Sequence, residues 1–96
     1  MGMCKPSGGV KSIYGPYRHS LPSTNTPNSR IDYYDEITKK LLQQRWFDSE
    51  GKAIWNRDWD HNDYYNEHEF PHDHRWDYSK KKPRQKPEKE LNKNYY

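Results

Sequence analysis

The sequence predicts a small β-rich domain, all-β or α+β, built as an antiparallel β-meander around an aromatic core. Three observations predict it. Aliphatic side chains are scarce, with Ile, Leu and Val numbering nine in 96 residues. Aromatic side chains are plentiful, at 16% with four Trp and nine Tyr, too many for a disordered linker. Short β-prone aromatic runs alternate with turn-forming clusters across residues 31–60. A chain of 96 residues holds one domain at most. Its mean hydropathy of −1.61 excludes an apolar membrane span and a large aliphatic core.

Residues 1–25 read as an irregular N-terminal arm. They hold Pro6, Gly8-Gly9, Gly15-Pro16 and Pro22, and the Ser/Thr/Asn-rich run that follows continues past Pro27. No period of 2 or 3.6 runs through them, and the spacing of a phosphate-binding loop is absent. Residues 26–78 read as the β-rich domain. Within it, 31–35 is a first strand, 36–40 a polar turn and 41–47 a second strand. Residues 48–52 form a hairpin loop in which Gly51 supplies a positive φ, and 53–60 is a third strand. Leu42/Trp46 and Trp55/Trp59 also stand at helical spacing, but the glycine turn and the aromatic content favour strands. A weak repeat aligns Tyr34-Asp35 with Phe47-Asp48, each followed by a lysine at the same offset (Lys39, Lys52), as one hairpin succeeding another would give. Residues 79–96 read as a basic tail broken by Pro83 and Pro87, disordered when free and dispensable for folding.

The net charge of +3 conceals a segregation. Residues 1–30 carry bases and no acids, 31–78 carry twice as many acids as bases, and 79–96 are basic again. Lys80, Lys81, Lys82 and Arg84 are candidate contacts to phosphate backbones, or else a solubilising tail. Cys4 is the only cysteine, so no internal disulfide forms. The N-terminus has no apolar run of signal-peptide length, and Pro6 stands where a myristoylation signal needs Ser or Thr. A cytoplasmic protein is expected.

Four of five histidines fall between 61 and 74, interleaved with acids: His61, His68, His72 and His74. Three readings compete. As acid–base catalysts, one imidazole takes a proton while another gives one, with Arg45, Arg57 or Arg75 offsetting charge on phosphorus. As metal ligands, His72 and His74 on an extended segment lie on one face about 7 Å apart at Cα, and His61 or His68 with an acid completes a zinc-type set. The third reading is a structural or solvated loop. No paired-histidine zinc helix and no cysteine pair is present, so the expectation is no cofactor, with zinc on His61, His72 and His74 as the alternative.

The ordered series Thr26-Pro27-Asn28-Ser29, Arg45-Trp46-Phe47-Asp48 with Gly51-Lys52-Ala53, Arg57-Asp58-Trp59-Asp60-His61, and His68-Glu69-Phe70-Pro71-His72-Asp73-His74-Arg75-Trp76 resembles small C-terminal domains of polymorphic toxins and phage head-morphogenesis proteins of Firmicutes. The resemblance covers roughly residues 26–77. It implies a compact ribonuclease-like domain in a bacterial or phage-infected cell. By position it points to Arg45, Arg57, Asp58, His61, His68, His72 and His74. The expected function is RNA cleavage by His/Arg acid–base chemistry, with Arg57, Asp58 and the four histidines as reactive groups and Arg45, Arg75, Lys80, Lys81, Lys82 and Arg84 holding RNA. The alternative is a non-enzymatic phage or mobile-element protein that binds a host protein or nucleic acid. A nuclease requires its histidines and an arginine to converge on one cleft, whereas a binding module can scatter them.

Overall fold

A computed structural model of the protein describes residues 6–17, 20–59 and 72–88. These form one six-stranded sheet whose strands lie in sequence order: β1 (Val10–Gly15), β2 (Arg30–Asp35), β3 (Leu41–Phe47), β4 (Ala53–Asp58), β5 (His72–Trp76) and β6 (Arg84–Pro87). β1 runs parallel to β2, and the remaining neighbours are antiparallel. No helix occurs among the described residues, so the all-β form of the expectation holds. None is long and apolar enough to cross a membrane.

The turns between these strands are built by aspartates. Asp35 Oδ1 accepts the backbone N–H groups of Ile37 and Thr38 at 2.8 and 3.1 Å. Asp48 Oδ1 accepts those of Glu50 and Lys52, both at 2.9 Å. The two-copy repeat is thus a pair of aspartate-closed hairpins, because a short carboxylate satisfies the donors a tight turn leaves over. Asp77 does the same for Ser79 ahead of β6. Gly51 has φ +79, and a Cβ there would collide with the Asn25 carbonyl, so the loop needs glycine for both reasons.

The sheet extends past both ends of the segment expected to hold it. β1 lies in the stretch read as an irregular arm, and β6 lies in the stretch read as a disordered tail. Neither carries a useful apolar alternation, because both are edge strands held by backbone pairing and a few side chains. In β1, Ile13 packs on the core. In β6, Arg84 pairs across from Trp76 and Pro87 across from His74, a basic, proline-ended strand of the kind that blunts a sheet edge.

Residues 21–28 run beside the β3–β4 hairpin, where Asn25 N donates to Gly51 O and Ala53 N to Ser23 O. They carry Leu21 into the core of Ile31, Tyr33, Leu42, Phe47 and Ala53, with Ile13 and Trp76 at its margin. This apolar end is small, and the sheet is completed by buried polar side chains. One face carries Arg30, Asp32, Gln44, Trp46, Arg57 and Asp73 in register. There Arg57 grips Asp73 through two hydrogen bonds of 2.7 and 3.0 Å, Arg30 grips Asp32 likewise, and both guanidinium groups lie over the Trp46 ring. The opposite face carries the candidate site.

Candidate functional site

Alternation along β4 puts Asn56 and Asp58 on one face, and alternation along β5 puts His72, His74 and Trp76 on one face. The register sets Asp58 opposite His72 and Asn56 opposite His74, so the two faces coincide. β6 then returns to bring Arg84 alongside. Asp58 Oδ2 is the meeting point: Arg84 Nη2 lies at 2.6 Å, His74 Nε2 at 3.2 Å and His72 Nε2 at 3.3 Å. The imidazoles meet edge to face, with centroids 4.8 Å apart. Asp58 is 0% exposed, His72 5% and His74 8%, whereas the Arg84 side chain is 38% exposed.

A network fixes this cluster from behind. Asn56 Nδ2 donates to Asp58 Oδ1 at 3.3 Å, and Asn56 Oδ1 accepts from Arg45 Nε at 2.6 Å and Trp76 Nε1 at 3.1 Å. Arg45 donates onward to the carbonyls of Leu21 and Pro22 and stacks on Trp76, 4.9 Å from its ring centre. His74 Nδ1 lies 2.8 Å from the Gln85 carbonyl. A carbonyl only accepts, so Nδ1 carries the proton, and Nε2 is the nitrogen turned toward Asp58.

Burial by itself would raise the Asp58 carboxyl. The His72 and His74 imidazoles and the Arg84 guanidinium outweigh it and hold the group below the ordinary carboxylate range. Burial, helped by the nearby Arg84 charge, brings Arg45 down to about 10, so it remains a cation at neutral pH.

The structure therefore brings together Asp58, His72, His74 and Arg84 of the residues expected at a site. It separates the others. Arg57 faces the opposite side of the sheet and is bound to Asp73. Arg45 is on the site's face but buried, its guanidinium engaged by Asn56, two carbonyls and Trp76, so it does not present itself to a phosphate in solution. Arg75 is exposed on the side of Arg57, 3.9 Å from Glu88. Lys80, Lys81 and Lys82 are exposed on the turn leading to β6. His61 and His68 lie outside the described residues. The ligand atoms of Asp58, His72 and His74 all lie within 4.8 Å of one another, so Asp58 stands where the zinc alternative expected an acid without naming it, and His61 lies outside the described residues.

Sequence reasoning missed Asn56, Trp76 and the Gln85 carbonyl. The signal for Asn56 was its place two residues before Asp58, opposite two histidines with the same spacing, but reading it requires the β4–β5 register. Comparison with family models, curated proteins and solved structures finds no match to the chain.

Proposed function

We propose that this protein is an RNA-cleaving domain of the toxin and phage kind its sequence resembles, with its reaction centre at Asp58, His72, His74 and Arg84. One observation carries the reading: two imidazoles and a guanidinium meet on one carboxylate, the convergence a phosphodiester-cleaving centre requires and a dispersed binding surface does not. Cleavage through the 2′-hydroxyl needs a base for that proton, an acid for the leaving oxygen and a cation for the phosphoryl oxygens. Nitrogen bases and a planar forked donor are the groups present. Arg84 reaches solvent and stands next to the exposed Lys80–82 turn, so a phosphate arriving there meets the cluster through it.

The depth of Asp58 and both histidines favours a second reading, a binding protein in which the same network holds the fold. Incubation of purified protein with mixed-sequence RNA, with and without chelator, separates the two. The expected result is cleavage that His72→Ala lowers by about 10²–10⁴-fold and that Arg84→Lys also lowers, since an ammonium lacks the fork. No cleavage by the wild type in either condition at high protein concentration overturns the enzymatic reading and leaves the binding protein.

A further inference from the structure

The His74 Nε2 atom is enclosed and makes no hydrogen bond among the described residues. Its ring proton is committed to Gln85 on the far side, so its lone pair is directed at a carboxylate oxygen 3.2 Å away. Out of water, what lies between these two atoms is either a second ring proton, making an imidazolium paired with Asp58, or a metal ion. The same carboxylate oxygen stands 3.3 Å from His72 Nε2. Metal–ligand bonds of about 2.0–2.1 Å at tetrahedral angles put neighbouring ligand atoms about 3.3–3.4 Å apart; the two pairs to Asp58 stand close to that spacing, while the three atoms together span 4.8 Å, so the two imidazoles must draw together by about 1.4 Å to close on an ion.

We propose that Asp58, His72 and His74 form a binding site for a divalent transition metal of the zinc class, with Asp58 Oδ2, His72 Nε2 and His74 Nε2 as protein ligands and a fourth position open toward Arg84. The surroundings are those of a ligand set. The Nδ1–H of His74 held by a backbone carbonyl is the usual outer partner that fixes a ligating imidazole. Asn56 engages Oδ1 of Asp58, whereas both imidazole nitrogens approach Oδ2. Two nitrogens and one carboxylate oxygen suit zinc, and also iron(II) or cobalt(II), better than the all-oxygen preference of magnesium and calcium. The ion takes the imidazole nitrogens that metal-free cleavage would use as base and acid, so metal binding and that acid–base chemistry exclude each other at this site, and binding is measured independently of cleavage.

Arg84 gives the proposal its sharpest consequence. Its guanidinium lies 2.6 Å from the same Oδ2, so it is a tethered cation in competition with the metal. It is part-exposed and on an edge strand, free to swing outward when an ion enters.

The test is calorimetric titration of metal-stripped protein with zinc, alongside the visible spectrum with cobalt(II). The expected result is one ion per chain, a tetrahedral cobalt spectrum, and loss of both in Asp58→Asn and His74→Ala. Since a buried substitution can weaken binding by unfolding the protein, Arg84→Gln is measured with them. Removing the competing charge should tighten zinc binding by about tenfold, an effect that unfolding cannot mimic. No binding by the wild type, Asp58→Asn binding as the wild type does, or Arg84→Gln binding no tighter overturns the site.

Discussion

Asp58 and Asp73 are both fully enclosed carboxylates on adjacent strands, yet the pleat gives them opposite companies. Asp58 meets two imidazoles and a half-exposed arginine. Asp73 meets Arg57, buried like itself, in a two-pronged pair. Breaking such a pair from one side abandons a buried charge and costs about 3–5 kcal/mol, most of what a domain with so small an apolar core holds. Asp73→Ala is therefore expected to shift the urea midpoint drastically or to unfold the protein, while Arg75→Ala, exposed on the same face, stays within about 0.5 kcal/mol. Equal urea midpoints for the two variants would sink this assignment. Tyr33 supplies a residue-scale pH dependence. Burial first, then the Glu36 and Asp35 charges, raise its phenol above the ordinary value, and its hydroxyl donates to Pro16 O at 2.6 Å. A group raised on folding contributes stability that is full below its unfolded pKa of about 10 and lost as pH climbs through the folded value. Stability should fall from pH 9 to 11, and more steeply in the wild type than in Tyr33→Phe. Parallel pH profiles would refute the role given to Tyr33.

At the scale of elements, the parts legible in the sequence were those decided locally. β3 and its hairpin follow from the Leu41–Phe47 run and the Asp48-to-Gly51 turn chemistry, which involve only near neighbours, and the structure has them where they were read. The edge strands were illegible for a physical reason. Arg84-Gln85-Lys86-Pro87 carries no apolar pattern, because its hold on the sheet comes from groups distant in sequence: Asp58 for Arg84, and His74 for the Gln85 carbonyl. The candidate site was half legible on the same grounds. The histidine density announced His72 and His74, but Asp58 as their shared anchor and Arg57 as an outsider depend on the register of two strands joined by a long connection. Truncation after Tyr78 now has an expected outcome contrary to that for a loose tail. It removes β6, the Arg84 contact and the partner of His74 Nδ1, and opens the edge of β5. The truncated protein should lose about 1–3 kcal/mol through those unmade bonds, read as a lower melting temperature. A melting curve superimposable on the full chain would show that β6 contributes nothing to the fold.

Across the whole molecule, strand order converts a charge pattern along the chain into a pattern in space. Among the described residues, Lys11 of the basic N-terminal stretch and Arg84 of the basic C-terminal stretch stand on opposite edges, since β1 and β6 are the outermost strands. Five inter-strand gaps put Lys11 of β1 and Arg84 of β6 about 24 Å apart. Among the described residues, the β6 side offers a phosphate backbone the exposed Lys80, Lys81 and Lys82 on the turn next to Arg84 and its link to Asp58. These lysines are exposed, so replacing all three with Gln should leave the melting temperature nearly unchanged. The consequence for binding is electrostatic. Each phosphate neutralised on a single strand adds about 0.7 to the slope of log affinity against log salt. Three lost contacts should flatten that slope by about 2, with little change in any preference among RNA sequences, because phosphate contacts carry no base information. Anisotropy titrations of a labelled single-stranded RNA over a range of sodium chloride concentrations measure both quantities. Identical slopes for the wild type and the triple variant would mean that RNA does not approach along the β6 turn, and would turn the search for its path toward the β1 edge.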